Sequence, residues 1–113
     1  MSQANELTSQ IISYVYKTQG FAYRSSSTGI FDKKLGTFRT APKKGVSDVV
    51  ALAPLTSPFP GRFIAIEVKI GKDSLSPEQA GFLLNVEHYG GISYIARDFD
   101  SFKEWWDEDV CAE

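Results

Sequence analysis

The run Phe63-Ile-Ala-Ile-Glu-Val-Lys69 constrains the fold of this chain more than any other segment. Its β-branched residues favour a strand. Side chains alternate across a strand, so Ile64, Ile66 and Val68 share one face, and Ala65, Glu67 and Lys69 share the other. One face therefore suits a core, while the other carries a carboxylate and an ammonium side by side. Such a strand needs partners. Residues 48–53, rich in Val and Leu, supply one, and the Pro/Gly segment 54–62 between them is long enough for an open antiparallel hairpin.

Helices and further strands follow from local signals. Ser76-Pro77-Glu78-Gln79 reads as a helix start, with Ser76 as N-cap, Pro77 at the first helical position and Gln79 where a capping box takes Glu or Gln. That helix should run to about Tyr89, stop at Gly90-Gly91 and lead into a strand over 92–96. Leu7, Ile11, Ile12, Val15 and Tyr16 recur at helical spacing, which predicts an amphipathic helix over 3–19 with Gly20 as its stop. A short strand is expected over 21–24, and the polar basic segment that follows, to Gly45, lacks periodicity and reads as loop. A last helix should begin near Asp100 or Ser101 and carry Phe102, Trp105 and Trp106. The two tryptophans are adjacent and cannot share a helix face, so one belongs to the core and the other to the surface or a subunit contact. The order of elements predicts an α/β fold with a mixed central sheet flanked by helices. At 113 residues the expectation is a single domain over 1–113.

Composition narrows the class. Cys111 is the sole cysteine and His88 the sole histidine, which excludes an internal disulfide and a zinc site of four N/S ligands. No apolar run approaches the ~20 residues of a membrane span, and the start lacks the charged and apolar regions of a signal peptide, so the chain reads as soluble, unsecreted and cytoplasmic. Charge is two-sided. The net of -2 conceals +5 over residues 21–45, from Arg24, Lys33, Lys34, Arg39, Lys43 and Lys44 against Asp32, and -5 over residues 97–113. A basic stretch can hold phosphates by displacing counterions, although a solvated face accounts for it equally. Arg24, Lys43 and Lys44 flank the central strands and are the candidate phosphate contacts; Lys33, Lys34 and Arg39 are not ranked. His88, near a helix end, reads as a surface residue.

The chemistry-bearing set is Asp48, Glu67 and Lys69. An adjacent strand lies only about 4.8 Å away, so Asp48 can set its carboxylate beside Glu67 with Lys69 on the same face. Two hard oxygen donors with neither thiolate nor imidazole suit Mg²⁺ or Mn²⁺. Such a trio serves attack of water on a phosphodiester, the lysine orienting or deprotonating the nucleophile. Taken alone, the same residues equally describe an exposed Glu-Lys pair with an acid in a turn.

The order Gly45-Val-Ser-Asp48, a strand, Ile66-Glu67-Val68-Lys69 and then Ser76-Pro77-Glu78-Gln79 resembles the PD-(D/E)XK nuclease superfamily. Within it the chain is similar to the VRR-NUC family, whose pattern adds an N-terminal helix with a Glu (Glu6) and a Gly-Phe strand ending in Arg (Gly20-Phe21 to Arg24). The resemblance spans Glu6 to about Ala96; Ser47 stands where the superfamily usually has proline. It implies a restriction-endonuclease-like fold and a Mg²⁺-dependent endonuclease, with Mn²⁺ able to substitute. Asp48, Glu67 and the main-chain carbonyl of Val68 would bind the metal, and Lys69 would act on the attacking water. It adds Glu6 as an acid assisting metal or water, and Gln79 as a residue bordering the site. Residue by residue, Glu6 also fits a helix-dipole acid and Gln79 a simple capping partner of Ser76. The family further implies DNA as partner, read by structure rather than base sequence, with Holliday-junction resolution by a homodimer foremost and a phage or prophage source in keeping. A flap, fork or nick nuclease and a catalytically silent DNA-binding module of the same fold are the alternatives.

Overall fold

A computed structural model describes residues 2–25, 30–32, 37–39 and 45–112. Helix α1 (Gln3–Lys17) starts at Ser2, whose side chain accepts from the Asn5 N–H at 3.1 Å. It buries Leu7, Ile11 and Val15, one per turn, against the sheet. The helix ends two residues short of the expected 19, and the residue that takes the left-handed conformation is Gln19 (φ 67°), not Gly20. Gly20 is needed for space instead: a Cβ there would lie 2.8 Å from Val15 Cγ1, where the chain turns under α1 into β1 (Phe21–Arg24).

The main sheet has the order β1-β4-β5-β6, with β4 at Val49–Leu52, β5 at Phe63–Val68 and β6 at Ile92–Ala96. β1, β4 and β5 run antiparallel, with Val49 opposite both Arg24 and Ile66. The hairpin expected between the two central strands is present, closed at its open end by Ala53 N–H donating to Arg62 O (3.1 Å). β6 pairs parallel to β5, Val68 opposite Ala96, and the crossover is helix α2 (Pro77–His88). The result is the mixed sheet flanked by helices of a restriction-endonuclease-like fold. No helix among the described residues is long and apolar enough to cross a membrane.

Between β1 and β4 lies a difference from the expected loop: β2 (Ile30–Asp32) and β3 (Thr37–Arg39) form a separate antiparallel pair. Three-residue strands are too short to display a period of two, which is why periodicity misses them.

The two faces of the main sheet differ. One packs Ala22, Val49, Ala51, Ile64, Ile66, Val68 and Ala96 against α1 and against α3 (Phe99–Trp105) with the π-helical turn Trp106–Cys111. α3 starts a residue or two earlier than expected because Asp98 caps it, accepting from Ser101 N–H at 2.8 Å. Trp106 is fully buried, and its indole N–H donates to Thr18 Oγ1 (2.8 Å), while Trp105 is half-buried and stacks on Tyr94 at 4.1 Å. Tyr14 on α1 donates to Asp107 Oδ1 (2.6 Å), tying the first helix to the last turn. The other face is crossed by α2, which covers β5 and β6.

Large-to-small changes in such a core lose transfer energy and leave a cavity. Trp106→Ala should destabilise the protein by roughly 3–5 kcal/mol, and Trp105→Ala by clearly less, read as shifts in urea midpoint at constant m-value.

Candidate active site

β4 starts at Val49, opposite Ile66, so the next rung places Asp48 opposite Glu67. The ladder reaches Asp48 on its other side too, where Ser25 N–H donates to Asp48 O (2.9 Å). Beyond Val49 the N–H of Val68 has no strand partner on the β4 side, and Asp48 Oδ2 accepts it at 2.8 Å. The carboxylate of Asp48 is thereby pinned at the end of β5. Ser47, buried where the superfamily pattern has proline, donates its hydroxyl to Val49 O (3.0 Å) and braces the same turn.

Glu67 is only 1% exposed. Its Oε1 accepts from Gln79 Nε2 at 3.3 Å, and its Oε2 is buried without a hydrogen-bond partner. Burial pushes its carboxyl up to about 8; the neighbouring carboxylate of Asp48 pushes the same way, and the ammonium of Lys69 pulls it down. Asp48, Glu67 and half-buried Lys69 thus occupy one end of the sheet, on the α2 side.

Gln79 makes contacts of both kinds that spacing offers as alternatives. Its Oε1 accepts from Ser76 N–H (2.9 Å) and its own N–H donates to Ser76 Oγ (3.1 Å), a complete capping box. With the oxygen so engaged, the amide nitrogen is turned toward Glu67. Gly45, which the sequence offers only as the glycine before Asp48, makes a contact that the motif does not foretell. It has φ 79°, and a Cβ there would lie 2.4 Å from the Glu78 carbonyl and 2.8 Å from Gln79 N. The turn preceding Asp48 therefore rests directly on the first turn of α2, and only glycine allows that approach.

The remaining candidates stand farther out. Glu6 is exposed on α1 and lines a shallow groove with Ser9, Gln10, Ser13 and Phe99; no hydrogen bond joins it to Asp48, Glu67 or Gln79. Arg24 is exposed at the end of β1 and donates to Asn5 Oδ1 at 3.0 Å. Lys43 and Lys44 lie outside the described residues, as do Lys33 and Lys34.

Among the described residues no group of three or more His, Cys, Asp or Glu side chains is arranged to hold a metal ion. A cation here would rest on two carboxylates, a number that suits Mg²⁺, which keeps several of its waters. The donor set fits: a buried, unpartnered carboxylate oxygen beside a second carboxylate is the place where either a proton or a divalent ion relieves repulsion.

The raised carboxyl makes a prediction about metal-free protein. A folded-state value near 8 against 4.5 for the free group means that the folded chain keeps a proton the unfolded chain has lost. Stability in EDTA should therefore fall as pH rises from about 5 to 8, with a slope of up to roughly 1.4 kcal/mol per pH unit from this group. Glu67→Gln should remove that component of the slope, measured by urea unfolding across the range; an undiminished slope in the variant would contradict the assignment.

The model of the VRR-NUC domain family matches residues 25–98. No curated protein matches the chain. The matched stretch takes in Asp48, Glu67, Lys69 and Gln79 and leaves out α1 with Glu6, together with Arg24. It covers more than half of the chain, and with the mixed sheet and the acidic pair at its end it identifies this protein as a member of the VRR-NUC family of nuclease domains.

Proposed function

We propose that this VRR-NUC domain is a metal-dependent endodeoxyribonuclease that selects branched DNA. The observation that carries the reading is the buried Glu67 carboxylate facing Asp48 across one rung of the hairpin, with one oxygen unpartnered. Asp48, Glu67 and the main-chain carbonyl of Val68 would hold Mg²⁺, or Mn²⁺ in its place. Bound there, the ion supplies Lewis acidity toward a phosphoryl oxygen and a lowered pKa for water.

The protein's own residues supply the rest. Gln79 fixes Glu67 Oε1, which leaves Oε2 for the space beside Asp48. Val68 N–H holds Asp48 Oδ2, so neither acid must be ordered when the substrate arrives. Lys69, on the same strand face as Glu67, would orient the attacking water as an ammonium, or take its proton once it has itself given one up. Glu6 and Arg24 are proposed as outer contributors, the acid toward water or metal and the guanidinium toward a phosphate, with Lys43 and Lys44 as further phosphate contacts.

A domain of this size has little surface for reading bases, so recognition through backbone and DNA shape is favoured. Cutting paired strands calls for two sites, and a twofold homodimer is the commonest way to present them. Holliday junctions are accordingly the first substrate, with flaps, forks and nicks as the nearest rivals. A cytoplasmic setting, bacterial or in a phage-infected cell, accords with the lone cysteine.

The test is incubation with labelled junctions, forks, flaps and linear duplex in Mg²⁺, Mn²⁺ or EDTA. Cleavage is expected with either ion, strongest on a branched substrate, and none in EDTA. Asp48→Asn should reduce cleavage to background while binding DNA as well as or better than wild type, because a carboxylate that repels phosphate is gone. Wild-type protein that binds DNA but cuts none of these in either ion would instead mark a silent binding module.

A further inference from the structure

Three aromatic rings stand together on the surface at the β1 edge of the sheet without any role so far. Tyr16 at the end of α1 meets Phe21 edge-on (centroids 6.1 Å), and Phe21 meets Tyr23 edge-on (6.2 Å). They are 49%, 50% and 51% exposed. In β1 the buried Ala22 faces α1, so Phe21 and Tyr23 point to the opposite face, the one that carries Glu67. α2 covers the β5 and β6 half of that face and makes no contact with β1 or β4. Tyr23 is two residues, or about 7 Å along the strand, from Ser25, whose N–H is bonded to Asp48 O.

Burying aromatic rings is favourable, and leaving three half open, two on an edge strand and one at the end of α1, costs stability unless something covers them. Area decides between a second copy of the chain and a small planar partner. A ring side chain offers about 150–250 Å² in all, so three half-exposed rings present roughly 300 Å². A stable protein interface needs about 800 Å² per partner, and even with neighbouring Leu52 and Phe63, 37% and 39% exposed, the patch falls short. Half exposure of a ring means one open face, which is what an unstacked nucleobase covers. Lys17, exposed next to Tyr16 at the end of α1, adds a cation suited to the phosphates between bases, whereas Arg24 turns to the α1 face, where it bonds Asn5.

We infer that Phe21 and Tyr23, with Tyr16 at their side, form a stacking platform for unpaired bases of the substrate strand next to the scissile phosphate. The inference rests on the nuclease reading and deepens it: the preferred DNA has splayed bases at the cut, as at a fork or an opened branch, rather than continuous duplex. Continuous duplex offers no free base face to the platform.

The test is binding in EDTA to a fork with unpaired arms, carrying 2-aminopurine beside the branch, and to a blunt duplex of equal length. Wild type should bind the fork more tightly and change the 2-aminopurine fluorescence. Tyr23→Leu keeps apolar bulk but has no ring; it should weaken fork binding by roughly 5- to 150-fold, the range for loss of one base–aromatic stack. It should leave duplex binding unchanged, and Tyr23→Phe should behave as wild type. Phe21→Ala should repeat the loss, with thermal unfolding checking that each variant is folded. Undiminished fork affinity in Tyr23→Leu overturns the platform, as does equal loss on both DNAs. A shift of the protein from dimer to monomer in sedimentation would assign the rings to a second copy and overturn it as well. Wild type that binds neither DNA would defeat the nuclease reading itself, whereas tight binding independent of the rings defeats the platform alone.

Discussion

Two carboxylates face each other across a single rung of an antiparallel hairpin, and one of them, Glu67, is almost wholly removed from water. Burial of Glu67 takes away, on its side of the rung, the water that would screen the repulsion between them. The carboxyl of Glu67 is pushed up to about 8 as a consequence, and a fold that tolerates this must have either a proton or a cation between the acids. The rest of the site serves to keep the pair in place. Val68 N–H holds one acid, Gln79 holds one oxygen of the other, and Gly45 lets the turn before Asp48 rest on the helix that carries Gln79.

That arrangement depends on register. A slip of one residue between β4 and β5 would turn Glu67 into the α1 face, toward Ile11 and Trp106, and bring an aliphatic side chain of β5 to the site. The apolar face prevents the slip, because Val49, Ala51, Ile64, Ile66 and Val68 are buried only in the observed register. Stability and chemistry are thus divided between the two sides of one sheet: α1, α3 and the π-helical turn secure the register from one side, and α2 completes the site from the other.

Much of this was legible from local patterns. Alternation in 63–69 places Glu67 and Lys69 on one face, and the hairpin follows from the two apolar runs and the Pro/Gly connection, so the Asp48–Glu67 rung could be anticipated. Ser76-Pro77-Glu78-Gln79 announces its capping box directly. What local pattern cannot show is a contact between distant residues. Gly45 meets Glu78 and Gln79 far along the chain, and nothing near Gly45 foretells it. Spacing offers two roles for Gln79 as alternatives, whereas an amide with a donor and an acceptor fills both. The stop after α1 reads as Gly20, but Gln19 takes the left-handed turn and Gly20 makes room for Val15.

The most direct measurement is calorimetric titration of Mn²⁺ into the protein at pH 7, repeated in buffers of different ionisation enthalpy to count protons. An ion that displaces the proton held between Asp48 and Glu67 should release close to one proton per ion bound at pH 7 and almost none above pH 9. Binding that proceeds with no proton released at pH 7, or that survives intact in both Asp48→Asn and Glu67→Gln, would show that the two acids do not share an ion.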